Sequence, residues 1–112
     1  MNLIFSKKKH DNIFKFGIDY FNSSNFQLAH ITWEGIWKHG TQEDRNKIKG
    51  FIQLTGAIIN NTRGKNQAAK YLTEKAINNI SKNNFKRVLN QEKLINDIGF
   101  LNKKEKISII LY

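Results

Sequence analysis

Apolar residues recur at helical spacing along almost the whole chain, and strict alternation appears only in the last residues. This pattern predicts an all-α fold, a compact bundle of four to five antiparallel helices. Polar turns, glycines and capping residues divide the chain into five predicted helices. The first runs from Asp11 to Asn22, the second from Phe26 to Lys38, and the third from a start within Thr41–Asp44 to Arg63. The fourth begins at about Asn66, and the fifth follows an Asn90 cap and ends at Gly99. The conformation beyond residue 83 is less defined by the pattern.

Helical phase also predicts which residues each helix buries. The first helix is expected to bury Ile13, Phe16, Gly17, Tyr20 and Phe21, and the third Ile48, Phe51, Ile52, Thr55, Ile58, Ile59 and Thr62. The fourth carries a narrow row of small and apolar residues, which allows a neighbouring helix to approach closely: Ala69, Leu72, Ala76 and Ile80.

The chain shows no interdomain linker, so we expect one domain with three parts. These are a basic N-terminal segment, 1–10, a helical core, 11–82, and a short helix with a basic and apolar tail, 83–112. The final segment, Ile107 to Tyr112, is rich in β-branched and apolar residues and is prone to associate with other surfaces. We expect it to dock on its own core rather than add a strand to another chain.

The net charge of +10 comes from 19 basic and nine acidic residues. Such a field attracts phosphate, anionic lipid or acidic protein. Lysine greatly outnumbers arginine, a bias that an AT-rich genome also produces. Proteins that recognise nucleic acid usually rely on the bidentate contacts of arginine guanidinium groups. We therefore expect an acidic protein or protein assembly as partner, with nucleic acid as the alternative. Two lysine clusters near the chain ends are the candidate contact surface: Lys7, Lys8, Lys9 and Lys103, Lys104, Lys106.

Cysteine is absent, which excludes disulfide scaffolds, thiolate metal sites and cysteine nucleophiles. No apolar run approaches the roughly 18 residues that a transmembrane span needs. The composition and the lack of a targeting pattern predict a soluble protein of the cytoplasm of a low-GC bacterium or of the plastid stroma.

Candidate chemistry is concentrated on the second helix. At 100° per residue, one face carries His30 and Glu34 together with Phe26, Trp33 and Trp37, and we expect that face to be buried. Buried polar groups need partners. Three remain open: an i,i+4 hydrogen bond between the pair, a divalent metal with His30 and Glu34 as ligands, or a substrate with Glu34 as base.

The third helix adds a second polar line. Gln53 and Asn60 lie seven residues apart, with Gly56 and Ala57 between them. If the second and third helices pack antiparallel, Gln53 is expected to reach the His30 and Glu34 pair in a small polar pocket.

These residues resemble a known family. The stretches from Gly17 to Asn22, from Phe26 to Trp37, and from Lys49 to Gln53, followed by Arg63-Gly64, are similar to the bacterial and archaeal Domain of Unknown Function 309 family. Its H-x-x-x-E-x-x-W/Y motif corresponds to His30, Glu34 and Trp37. The resemblance implies a small multihelical bundle and a suggested but unsettled role of the motif in metal binding.

The chain departs from the family pattern at several positions. Ile31 stands where the family often has a carboxylate, Asn60 where a histidine is common, and the start of the fourth helix lacks a second glycine. A metal site would then retain two candidate ligands, fewer than tight zinc sites use. We therefore predict a small basic binding module without catalytic residues; a metal- or small-molecule-binding protein and a nucleic-acid-binding protein are the alternatives.

Overall fold

The computed structural model describes residues 3–101 and 106–112. Within them the chain forms five helices and no strand beyond an isolated antiparallel bridge between Leu89 and Leu111. The all-α fold is thus confirmed. None of the helices described is long and apolar enough to cross a membrane. The helices are α1 (Lys8–Asn22), α2 (Phe26–His39), α3 (Gln42–Thr62), α4 (Asn66–Ser81) and α5 (Gln91–Gly99).

Three helix starts follow local capping. The Asn25 side chain accepts a hydrogen bond from the Leu28 amide, and the Asn90 side chain accepts one from the Lys93 amide. Thr41 and Asp44 form a reciprocal capping box at the start of α3. These side chains accept hydrogen bonds from backbone amides that the first turn of a helix leaves unpaired. This explains why the predicted starts of α2, α3 and α5 agree with the structure.

The start of α1 differs from the prediction. The helix begins at Lys8, so Asp11 is not its cap and lies inside its first turn. The Asp11 carboxylate instead accepts hydrogen bonds from the amides of Ile4 and Phe5, at 2.8 to 3.1 Å. Asp11 therefore fastens the segment that precedes the helix, and Phe5 becomes part of the core.

Consecutive helices pack in antiparallel pairs. Phe21 near the end of α1 contacts Phe26 at the start of α2, while Phe14 contacts Trp33 further along α2. Similarly, α3 pairs with α4 from Gly50 near Ile80 to Gly56 near Leu72. The short turns between these helices favour this arrangement.

The core is an aromatic cluster at the centre of the bundle. Phe14 is fully buried and meets the rings of Phe5, Trp33, Phe51 and Phe85 at centroid distances of 5.0 to 6.3 Å. Several of these rings meet edge to face, the geometry that ring quadrupoles favour. Phe85 lies beyond the four predicted core helices, so the C-terminal part belongs to the same core.

The predicted buried face of α1 was wrong in part. Phe16 and Tyr20 are exposed, whereas Phe14 and Ile18 are fully buried. The buried line of α1 runs through His10, Phe14, Gly17, Ile18 and Phe21. The sequence offers two apolar stripes on this helix, and the one facing Trp33 is the buried one.

The small-residue seam predicted for α4 is confirmed. Ala69, Ala76 and Ile80 are buried, and Leu72 is partly buried. A Cβ added at Gly50 would lie 2.6 Å from the Ile80 side chain and 3.2 Å from the Ala76 carbonyl oxygen. A glycine at this position therefore sets the close approach of α3 and α4.

The C-terminal segment docks on its own core, as predicted. Ile107 and Ile109 are buried, while Ile110 is 43% exposed. The Asn22 side chain donates to the Ile109 carbonyl at 2.9 Å and accepts from the Ile109 amide at 2.8 Å. The segment is thereby fixed to the end of α1.

Candidate functional site

His30 on α2 lies half-buried beside α3. Its Nδ1 is 2.7 Å from the hydroxyl oxygen of Thr55, which is itself fully buried. That hydroxyl donates its proton to the Ile52 carbonyl at 2.7 Å, so its oxygen accepts the Nδ1–H of the imidazole. The bond fixes the ring orientation and leaves Nε2 as the ring nitrogen nearer to Glu34.

Glu34 lies one turn after His30, with its Oε1 3.6 Å from the His30 Nε2. This contact is an ion pair only when the imidazole is doubly protonated. The two side chains are 28% and 43% exposed. An exposed i,i+4 pair of this kind contributes a few tenths of a kcal/mol at most. The predicted burial of this pair was therefore wrong, and the stronger partner of His30 is Thr55.

The two tryptophans of α2 have different environments. Trp33 is fully buried and donates its indole N–H to the Phe14 carbonyl at 3.1 Å. Trp37 is 39% exposed, with the Arg45 guanidinium 6.0 Å from the centre of its ring. The buried centre of α2 is the line through Ala29, Trp33 and Ile36, which is rotated by about 80° from the predicted face.

The reason for the rotation is that α2 packs between two neighbours. It contacts both α1 and α3, so its buried surface is centred between them. The many aromatic residues around Trp37 predicted that its face would be buried. Trp37 instead lies at the edge of the interface, where its ring remains 39% exposed. His30, Glu34 and Trp37 lie on that edge.

Gln53 and Asn60 do not share one pocket with His30. The Gln53 side chain accepts a hydrogen bond from Asn79 on α4 at 2.7 Å. Asn60 donates to the Gly56 carbonyl at 2.8 Å, within its own helix. A shallow cavity of about 170 Å³ does bring Gln53 together with Glu34, Trp37, Lys49 and Ile52. Thr55, which the sequence analysis assigned to the apolar face, contacts the histidine instead.

The donor set of a metal site is small. His30 Nε2 and Glu34 Oε1 are two candidate ligands on adjacent turns, and the Thr55 hydroxyl orients the ring as outer-shell partners of metal-bound histidines do. Throughout residues 3–101 and 106–112, no group of three His, Cys, Asp or Glu side chains is placed to hold a metal ion. A two-residue site would need ligands from solvent or from another molecule.

A second polar cluster, centred on Asp44, was missed by sequence reasoning. Its carboxylate accepts hydrogen bonds from the Ser6 amide at 2.8 Å, the Ser6 hydroxyl at 2.5 Å and the Thr41 amide at 3.1 Å. The buried His10 ring lies 3.4 Å away. Burial alone would raise the pKa of Asp44, but the bonds from Ser6, Thr41 and His10 outweigh it and lower the pKa from 3.8 to about 2.

The hydrogen bonds of the Asp44 cluster have a structural role. They fix the N-terminal segment to the start of α3 through residues that are 38 positions apart. The Thr-x-x-Asp capping box was visible in the sequence, whereas the contact with Ser6 and His10 depends on the tertiary fold. The carboxylate is fully occupied by these internal donors.

The lysines proposed as a partner surface are only partly described. Lys7, Lys8 and Lys9 are exposed at the start of α1, and Lys106 is exposed before the docked C-terminal segment. Lys103 and Lys104 lie outside the described residues. The structure therefore places one of the two clusters completely, on the first turn of α1 and the residue before it.

Comparisons with known proteins give a family but no activity. A search of curated proteins and a search of solved structures each returned no match. One family, described as a domain of unknown function (DUF309), matches residues 14–72. The matched region extends from α1 to the first half of α4 and includes His30, Glu34, Trp37 and Thr55. On this match over more than half of its length, the chain belongs to the DUF309 family.

Proposed function

We propose that this protein is a small basic binding module, without chemistry of its own, that docks on a larger acidic protein assembly. The observation that carries the proposal is the separation of charges on folding. Asp11, Asp44 and Asp97 are buried, whereas every described lysine and arginine is at least partly exposed. The surface is therefore more positive than composition alone implies, which favours an anionic partner.

The lysines at the start of α1 support the same proposal. The N-terminus of a helix carries partial positive charge, so Lys7, Lys8 and Lys9 lie where helix stability disfavours cations. The acidic residue of that turn, Asp11, is directed to backbone amides rather than to these lysines. These side chains are available to a partner.

Hydrogen bonds and packing within the chain involve several of the groups that could carry chemistry, which supports a non-catalytic role. His30 is held by Thr55, Trp33 is a core residue, and the Asp44 carboxylate is surrounded by donors from its own chain. A general acid or base must reach a substrate proton. His30 and its neighbour Glu34 are partly exposed, at 28% and 43% of their side chains.

A protein partner is favoured over nucleic acid by the kind of cation at the surface. The chain has three arginines, and Arg45 is engaged with the ring and the carbonyl of Trp37. Bidentate phosphate and guanine contacts depend on guanidinium groups, whereas lysine acts as a point charge. Point charges suit the scattered carboxylates of an acidic protein surface.

The metal-binding alternative rests on the orientation of His30 and on two ligands. It predicts near-stoichiometric divalent metal in protein purified without chelator or histidine tag, reduced in His30→Ala. An absence of metal, with an intact fold after EDTA treatment, would remove this alternative.

The decisive experiment is a gentle, low-salt purification from the source cell, with and without nuclease, followed by identification of what copurifies. A defined protein assembly that survives nuclease is the expected result. Binding that nuclease abolishes, with affinity that falls steeply between about 50 and 200 mM salt, would contradict the proposal and assign the charge to nucleic acid.

A further inference from the structure

Three depressions that share lining residues follow one another across the face formed by α2, α3, α4 and the segment after α4. Their volumes are about 170, 350 and 310 Å³. Lys49 lines the first and the second, and Asn83 lines the second and the third. We call this row of depressions the α3–α4 groove.

The middle of the groove is cationic and amide-rich. Its lining consists of Lys49 and Lys82 with three asparagines, Asn46, Asn79 and Asn83. Asn83 donates to the Asn79 carbonyl at 3.0 Å and to the Asn46 carbonyl at 3.2 Å, so the Asn83 side-chain amide is held in place. Lys49 and Lys82 are exposed and form no ion pair within the described residues.

The two ends of the groove differ in chemistry. One end is apolar, formed by the half-exposed Trp37 ring and Ile52, with Glu34 at its edge. The other end is lined by Leu3, Val88 and Arg87. Among the residues that line the three depressions, Glu34 is the one carboxylate. The centre, with two lysines and no carboxylate in its lining, thus attracts a ligand carboxylate more strongly than the Trp37 end does.

We propose that the α3–α4 groove binds an acidic segment of a partner protein that carries one large apolar side chain. The apolar side chain lies against Trp37 and Ile52, and carboxylates of the segment pair with Lys49 and Lys82. Charge complementarity selects this occupant over a purely apolar one. The Asn46 amide nitrogen as donor and the Asn83 amide oxygen as acceptor complete the hydrogen bonds of an extended peptide.

This inference rests on the proposed docking function and adds the place and the ligand. It differs from the lysine clusters near the chain ends, because Lys49 lies within α3 and Lys82 directly follows α4. Trp37 also gains a role that neither core packing nor the His30 pair supplies. A partly exposed aromatic beside cations is typical of the side chains that dominate binding energy at protein interfaces.

The test is a selection of random peptides displayed on cells, sorted on the purified protein. Enriched peptides are expected to combine an acidic cluster with a neighbouring aromatic or large aliphatic residue. The double variant Lys49→Glu/Lys82→Glu should weaken binding of the enriched peptides by at least about tenfold, and Trp37→Ala should do so for peptides that keep their apolar residue.

The matched control is Lys15→Glu/Lys70→Glu, which changes net charge equally at two exposed lysines that line none of the three depressions. This control should bind within about twofold of the parent, because it changes the general charge attraction as the groove variant does but leaves Lys49 and Lys82 in place. Circular dichroism of each variant establishes that the fold is intact.

Several outcomes would overturn the inference. These are enrichment of purely apolar peptides, no enrichment at all, or binding that the Lys49→Glu/Lys82→Glu variant retains. If that variant still binds the native protein assembly while a Lys7→Glu/Lys8→Glu/Lys9→Glu variant does not, the groove is excluded and the docking function stands. If the native partner proves to be a nucleic acid, the docking function itself fails.

Discussion

Gly17 of α1 lies against the indole of Trp33 so closely that a Cβ at position 17 would be 2.0 Å from the Trp33 Nε1. The Trp33 ring is fully buried, and its N–H donates a hydrogen bond to the carbonyl of Phe14, which lies on α1 as Gly17 does. The contact therefore couples a small residue to the largest core side chain. The α1–α2 interface depends on it.

Gly17→Ala should destabilise the protein by about 1 to 3 kcal/mol, because the added methyl displaces the indole or separates the helices. Urea unfolding followed by circular dichroism measures the loss. The matched control is Gly35→Ala on α2, where an added Cβ meets nothing within 4 Å. That variant should be stabilised by up to about 1 kcal/mol through helix propensity. Equal stability of the two variants would contradict the proposed role of Gly17.

Thr55→Val should cost more than Glu34→Ala, although Glu34 belongs to the family motif. The Val variant leaves the His30 Nδ1 without its acceptor, a loss of about 1 kcal/mol or more. Glu34 is 43% exposed, so its removal should cost about 0.5 kcal/mol or less. Chemical denaturation near neutral pH compares the two. A larger loss for Glu34→Ala would mean that the i,i+4 pair dominates.

Acid should destabilise the protein through Asp44. Its pKa is about 2 in the folded state against an ordinary value of 3.8, so the folded protein binds fewer protons than the unfolded chain between these values. The stabilisation is fully present above the ordinary pKa and is lost as pH falls towards about 2. It amounts to about 2 kcal/mol. The urea midpoint of unfolding should fall less steeply with decreasing pH in Asp44→Asn than in the parent protein. An unchanged acid dependence in that variant would refute the assignment.

The docked C-terminal segment can be tested with neighbouring isoleucines. Ile109→Ala should destabilise by about 2 to 5 kcal/mol, because a buried side chain is truncated. Ile110→Ala, at a 43% exposed position of the same segment, should change stability by about 0.5 kcal/mol or less. Thermal unfolding distinguishes the two, and a comparable shift in both variants would indicate that the segment does not bury one face.

Local features of the fold could be predicted from sequence, whereas faces shared between helices could not. Asn25, Thr41 and Asn90 cap helices through bonds that span three residues, so their roles are readable from neighbouring positions. The orientation of α2 depends on two packing partners at once. A chain with several aromatic residues per helix offers more than one apolar stripe.

The candidate site shows the same division. Placing His30 and Glu34 on one face required only helical geometry, and the structure has them one turn apart. Identifying Thr55 as the partner of His30 required the register between α2 and α3, which helical phase does not determine. The Asp44 cluster likewise joins Ser6 and His10 to α3 across a long stretch of chain.

The clamp between Asn22 and Ile109 has a consequence for the order of folding. These residues are 87 positions apart, whereas the α1–α2, α2–α3 and α3–α4 pairs join neighbours along the chain. Neighbouring hairpins close short loops and form early, while a contact across such a distance carries the larger closure entropy. We therefore expect the C-terminal segment to dock last, after the helices have condensed. Protection of the Ile109 amide from hydrogen exchange should consequently report completion of the folded state rather than local helix formation.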